Sequence, residues 1–225
     1  MESTKEFDRV KAVILSAHED TSAEAKINFY DKWAENYDQD VSVLEYHAPS
    51  FAAKTLSPHF TGDRPSAVVL DIACGTGLVA KQLKSLGFGR FVGVDGSQPM
   101  LALAKSTGLY QDLKLCMLGS EPLPVEHSAF DVVMIVGALS DGQVPVKVVR
   151  ELCMATKAGG FICMTTRSNV DNLVYKTSLE QELEALEKHG LWRRVQVVTV
   201  DQWERDVSHH DEGYIPGAVY LYQKL

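Results

Sequence analysis

Gly75-Thr76-Gly77-Leu78-Val79-Ala80 follows a short apolar run and fits the pattern G-x-G-x-x-G/A. Asp71 stands four residues before its first glycine, and Asp95 twenty residues after it. A glycine-rich turn between a strand and a helix lets backbone approach a ligand closely and aims free N–H groups at it. An acidic residue ending the next strand can accept hydrogen bonds from ribose hydroxyls. These residue types at this spacing describe a site for a cofactor built on adenosine.

Two cofactors compete for such a site. A dinucleotide would lay its pyrophosphate on the glycine loop, attracted by N–H groups and the helix dipole. An ionised Asp71 on the first strand would repel that phosphate. It suits S-adenosylmethionine, whose corresponding end carries an ammonium and a sulfonium. The electrostatics favour the methyl donor over a nicotinamide cofactor.

The elements that must hold these residues follow from hydrophobic period and punctuation. Strands are expected at 68–73, 91–95, 113–117, 130–136 and 161–165, with β-rich stretches at 195–200 and 218–223 closing the chain. Helices are expected at 78–85, from Ser97 with Pro99 onward, at 144–156, and from the capping box Ser178-Leu179-Glu180-Gln181 to Gly190. Before the first strand the chain reads as helical. Thr21-Ser22-Ala23-Glu24 matches a capping box, and Pro49 and Pro58 flank a further helix. Alternating strands and helices predict an α/β, doubly wound, mostly parallel sheet with helices on both faces. The ligand should sit where the loops after Ala73, Asp95, Met117 and Val136 converge at the carboxyl edge.

Composition narrows the function classes. With 22 basic against 30 acidic residues the net charge is −8, which suits nucleic-acid phosphates poorly. A small molecule or a protein is therefore expected as substrate ahead of nucleic acid. No apolar run approaches the roughly 20 residues that span a bilayer, so no membrane partner is expected. The polar start, Met1-Glu2-Ser3-Thr4-Lys5-Glu6, lacks a signal-peptide core and favours a cytoplasmic or nuclear address. Cys74, Cys116, Cys153 and Cys163 are far apart with no histidine at ligand spacing, so no metal is expected.

Val69-Leu70-Asp71-Ile72-Ala73-Cys74-Gly75-Thr76-Gly77 resembles the first motif of class I methyltransferases, and Val94-Asp95-Gly96-Ser97-Gln98-Pro99-Met100-Leu101 the second. Glu121-Pro122-Leu123-Pro124, Phe130-Asp131-Val132-Val133 and Lys157-Ala158-Gly159-Gly160 follow in the family's order. Tyr30-Asp31-Lys32-Trp33-Ala34-Glu35-Asn36-Tyr37-Asp38 and Ile135-Val136-Gly137-Ala138-Leu139-Ser140-Asp141-Gly142 extend the likeness over most of the chain. The resemblance implies a seven-stranded core over residues 66–225 with an antiparallel last strand, and a helical lid over residues 1–65.

It further implies S-adenosyl-L-methionine as cofactor and S-adenosyl-L-homocysteine as product. Asp71, Ala73 and Gly75 would hold the amino-acid end, with Gly77 allowing close approach of loop and helix. Asp95 would take the ribose and Met100 the adenine face, with Gly96 and Val136 also in the cofactor site. Where the family often places an aspartate for the adenine amine, this chain has Gly119. That passes the role to Ser120, with Glu121 beside it, or to a backbone carbonyl, or else leaves the adenine less tightly held. Trp33 and Tyr37 would cover the site from the lid, the tyrosine reaching the methionine moiety. The chain lacks the Asn/Asp-Pro-Pro-Tyr loop that accepts an amide or exocyclic amine, which argues against adenine N6 or glutamine as acceptor.

A dedicated catalytic residue is not required, because aligning two reactants supplies much of such a rate. Tyr30, His47, Asp141 and Arg167 are candidates should the acceptor need to lose a proton. Two other readings compete: a catalytically silent cofactor-binding partner module, and an NAD(P)-dependent oxidoreductase.

Overall fold

The computed structural model describes residues 2–16, 23–207 and 213–225. Seven strands form one sheet: β1 (Val68–Ile72), β2 (Arg90–Asp95), β3 (Tyr110–Leu115), β4 (Phe130–Ile135), β5 (Thr156–Arg167), β6 (Trp192–Arg205) and β7 (Tyr214–Lys224). Their order is β3-β2-β1-β4-β5-β7-β6, and β7 alone runs opposite to the other six. Eight helices accompany them among the described residues. They are α1 (Glu2–Ser16), α2 (Ala23–Trp33), α3 (Tyr37–Val43), α4 (Ala48–Leu56), α5 (Leu78–Ser85), α6 (Gln98–Ser106), α7 (Val148–Ala155) and α8 (Leu173–Lys188).

The central strands are apolar throughout because both sheet faces are covered. On one face Leu70, Ile72, Val133 and Ile135 pack with Val148 and Leu152 of α7 and Leu179, Leu183 and Leu186 of α8. On the other, Val69, Val132 and Met134 meet Val79 and Leu83 of α5 and Ala52 and Leu56 of α4. Alternate residues of one strand thus feed two cores, as the period of two requires. α4 lies N-terminal to the sheet in sequence, yet it forms part of this layer and also touches β5, β6 and β7.

The chain winds outward from β1 through β2 to β3, then returns to the other side of β1 with β4. Strand order therefore reverses between β1 and β4. The loops leaving these strands diverge there and open a crevice at the carboxyl edge.

Several boundaries depart from the sequence-based expectation. β6 and β7 form a ribbon much longer than 195–200 and 218–223, bent by register shifts between Arg194 and Gln196 and between Val200 and Glu204. β3 starts at Tyr110, three residues early, and β5 already pairs at Thr156. The capping box at Ser178 starts no helix. α8 begins at Leu173, with nothing between it and Ser178 to break a helix, and the Ser178 hydroxyl donates to the Val174 carbonyl (3.1 Å). Glu180 pairs with Lys176 (2.8 Å) and accepts from the Tyr220 hydroxyl (2.7 Å). Thr21 and Ser22 of the other capping box lie outside the described residues. Ser97 caps α6 as expected, accepting from Met100 N–H (3.3 Å).

Gly217 of β7 lets the ribbon close over Trp203, whose indole occupies the space a Cβ would need. Gly217→Ala is expected to destabilise the fold by about 1–3 kcal/mol through overpacking. Urea unfolding measures this, and an unchanged midpoint would show that Trp203 yields freely.

Candidate functional site

The glycine loop leaves β1 with two consecutive turns of unusual backbone. Ala73 and Gly75 both have φ of 53°, a left-handed conformation that costs a residue with a Cβ of order 1–3 kcal/mol. A clamp from the neighbouring strand holds it. Asp95, at the end of β2, accepts from Gly75 N–H through Oδ2 (2.8 Å) and from Ser97 N–H through Oδ1 (2.9 Å). One carboxylate thus ties the loop after β1 to the loop after β2. Burial raises the Asp95 carboxyl above its ordinary value, while N–H groups of Ser97, Gly75 and Gly96 pull it down.

Asp71 lies beneath this loop, fully buried. The Tyr110 hydroxyl donates to its Oδ2 (2.6 Å), and its Oδ1 has no protein partner. Gly77 admits the tyrosine, since a Cβ there would come within 3.2 Å of the Tyr110 ring. Burial pushes the Asp71 carboxyl up to about 7, the Tyr110 hydrogen bond working against the shift and Asp95 with it.

The crevice at the switch point is a cavity of about 140 Å³. Its wall brings together Ala73 and Gly75 from the first loop, Asp95 and Gly96 from the second, Met100 from α6 and Val136 after β4. Tyr37 and Tyr30 cover it, with Lys26 and Ile27 of α2. The loops after Ala73, Asp95, Met117 and Val136 converge here as expected. Two carboxylates fasten the covering helices to the core. Asp31 of α2 accepts from the Ser97 hydroxyl (2.6 Å). Asp38 of α3 accepts from the Thr76 hydroxyl (2.5 Å) and pairs with Lys81 of α5 (3.1 Å).

Five of the sequence-predicted residues stand off this wall. Asp71 and Gly77 act from below, as described. Trp33 is turned away: its Nε1–H donates to the buried Asp40 (2.8 Å), which also pairs with Arg9 (2.5 Å). Its ring supports Tyr37 edge-on at 4.8 Å between centroids. Ser120 and Glu121 line a separate surface hollow with Pro122 and Lys147. The loop turns outward at Gly119, which has φ of 82° and packs where a Cβ would overlap the Pro145 ring. An aspartate there would strain the backbone and require Pro145 to shift. Glu121 instead accepts from Met117 N–H (3.1 Å) and so shapes the loop that reaches the cavity.

Sequence reading missed Lys26, Ile27, Leu118 and Gln143 on the wall. Ile27 carried a signal, recurring at helical spacing with Tyr30. Gln143 carried none, because its place depends on the turn that follows β4. Of the candidate bases, only Tyr30 lines the cavity; burial pushes its phenol up to about 12, with Arg167 pulling down and Asp95 and Glu204 adding to the rise. His47 is exposed at the head of α4, and Asp141 is exposed in a turn whose N–H donates to Asn172 Oδ1 (2.9 Å). No group of three His, Cys, Asp or Glu side chains among the described residues is arranged to hold a metal.

Comparison with known proteins adds the family. A profile described as a methyltransferase domain matches residues 70–164. Human Methyltransferase-like protein 27 is 50% identical over 193 residues, covering 86% of this chain and 78% of that protein. A Demethylmenaquinone methyltransferase from Symbiobacterium thermophilum is 34% identical over 150 residues, covering 60% of this chain and 56% of its own length. Among solved structures, a chain of the Haloferax volcanii complex between the Trm112 methyltransferase activator and a methyltransferase superposes with a TM-score of 0.62. It is 14% identical and covers 87% of this chain and 97% of its own.

Asp71 generates a pH prediction. Its folded pKa, about 7, exceeds its ordinary value of 3.8. The folded state thus binds its proton more tightly, and stability is lost as pH rises from about 4 through 7. Asp71→Asn does not titrate, so its melting temperature should gain on the wild type by an amount that grows from pH 5 to pH 8. The full effect is on the order of a few kcal/mol. A difference independent of pH would show Asp71 to be ordinarily ionised.

Proposed function

The chain belongs to the class I S-adenosylmethionine-dependent methyltransferases, and from that premise we propose that the switch-point cavity holds S-adenosylmethionine for methyl transfer to a small molecule. The observation that carries the reading is the convergence of the glycine loop, Asp95 and Val136 beneath Tyr37 at the carboxyl edge.

The residues present fit this cofactor. Asp71 Oδ1, buried without a protein partner under the glycine loop, suits a cationic group bound above it. Ala73 and Gly75 offer backbone to the amino-acid end. The Asp95 carboxylate, with Gly75 N–H on one oxygen and Ser97 N–H on the other, has further acceptor capacity for a ribose hydroxyl, with Gly96 alongside. Met100 and Val136 flank the adenine. With Ser120 on another surface, a backbone carbonyl of the Met117–Leu118 turn takes the adenine amine. Trp33, Gly77 and Glu121 act at one remove, through Tyr37, Tyr110 and Met117.

When bound, the cofactor supplies a methyl carbon made electrophilic by its sulfonium. The chain's own part is alignment and exclusion of water. The cavity is smaller than the roughly 300–1,000 Å³ of ordinary ligand sites. α2 and α3 therefore form a lid that lifts to admit the cofactor, releasing the Asp31 and Asp38 latches, while α4 stays with the sheet. The confined space favours a small-molecule acceptor over a protein side chain. So does a relative named for demethylmenaquinone. All four cysteines are free and buried, in keeping with a reducing cytoplasmic or nuclear compartment.

Calorimetry with S-adenosylmethionine, S-adenosylhomocysteine and NAD tests the cofactor. Micromolar binding of the first two without NAD is expected; NAD alone binding would overturn the reading. Asp95→Asn should weaken S-adenosylhomocysteine by roughly 10- to 100-fold, from the loss of about 1–3 kcal/mol of hydrogen bonding. Tyr37→Phe should weaken it measurably, and unchanged affinity would remove Tyr37 from the site.

A further inference from the structure

The amino edge of the sheet, opposite the switch-point crevice, carries a second cavity of about 660 Å³. It opens where β4, β5 and β6 begin and β7 ends. Asp131, Lys157, Arg193 and Gln223 line it, with Phe60 from the segment after α4 and Phe161 of β5. The volume lies within the range of ordinary small-molecule sites. Its wall shares no described residue with the wall of the switch-point cavity.

The polar side chains of this wall brace one another. Gln223 Nε2–H donates to the Gly159 carbonyl (2.9 Å), which fixes its amide. Gln223 Oε1 then accepts from Arg193 through both Nε (3.1 Å) and Nη2 (2.6 Å). A neutral amide thus positions the guanidinium without cancelling its charge. Asp131 is the one carboxylate among the described residues of the wall, and both of its oxygens are engaged. Oδ1 accepts from Lys157 Nζ (2.8 Å) and Oδ2 from Val68 N–H (2.8 Å). Lys157 therefore offsets Asp131, and the charge of Arg193 is left over. Arg193 keeps three of its five N–H donors and Lys157 two of its three.

Beside these donors the wall is aromatic. Phe161 is buried and Phe60 half-buried, their rings edge to face at 6.2 Å between centroids. A positive charge with unspent donors next to an apolar surface selects an anion that carries an apolar body. A phosphate monoester brings three acceptor oxygens and nearly two negative charges at neutral pH. A carboxylate brings two oxygens and one charge, and leaves more of the donors unmet. We propose that this cavity is a second ligand site, which binds a small organic phosphate monoester with its phosphate on Arg193 and Lys157 and its apolar body against Phe60. The site is independent of the switch-point cavity and stands whether or not the cofactor reading does.

Calorimetry on the full chain tests it, with phenyl phosphate, inorganic phosphate and benzoate as probes. Phenyl phosphate should bind saturably and more tightly than either of the others, and S-adenosylhomocysteine should not displace it. Arg193→Gln should weaken phenyl phosphate by roughly 10- to 100-fold. Lys84→Gln removes the same charge from an exposed position on α5 and should leave the affinity unchanged. The assignment falls if phenyl phosphate does not bind, or if benzoate or inorganic phosphate binds as tightly. It falls equally if Lys84→Gln weakens binding as much as Arg193→Gln, which would reduce the effect to net charge. Displacement by S-adenosylhomocysteine would move the probe to the switch-point cavity and overturn the assignment as well.

Discussion

The site depends on the Asp95 carboxylate and the two N–H groups it holds. By accepting from Gly75 on one oxygen and Ser97 on the other, it joins the loops that leave β1 and β2 on one side of the switch point. A loop with positive φ at Ala73 and Gly75 keeps that shape only when its surroundings over-determine it. Two charge-assisted hydrogen bonds to backbone do so more firmly than apolar packing would. The same clamp sets the start of α6, and with it Met100.

Other features of the site follow from the loop being held there. A loop folded down over β1 seals Asp71 from water, which divides that carboxylate between its protonation states near neutrality. It also presents the Thr76 hydroxyl upward, where Asp38 can latch α3, while Ser97 presents its own hydroxyl to Asp31. The cover is therefore fastened to the two segments that form the cavity floor.

The sheet divides the work. Its β3-β2-β1 side carries the glycine loop and the Asp95 loop that wall the switch-point cavity. Its β5-β7-β6 side ends in a long antiparallel ribbon with two register shifts. Trp203 packed on Gly217 anchors that ribbon.

Much of this protein was legible from residue order alone. Period-two and period-3.6 patterns are local properties, so the strands, the two-sided sheet and the glycine loop could be read directly. Asp95 could be read because its place at the end of a strand after a G-x-G-x-x-A loop is itself a local spacing. Helix starts were less legible: Ser178-Leu179-Glu180-Gln181 has the residues of a cap, but nothing before it stops the helix. Tertiary structure alone decided that Trp33 faces Asp40 rather than the cavity and that Ser120 and Glu121 turn to another surface around Gly119 and Pro145. It also decided that Asp71 is sealed from water, which raises its carboxyl. Spacing along the chain determines which face a side chain takes within its own element. Its neighbours across elements, and the water it loses to them, are determined only when the elements pack.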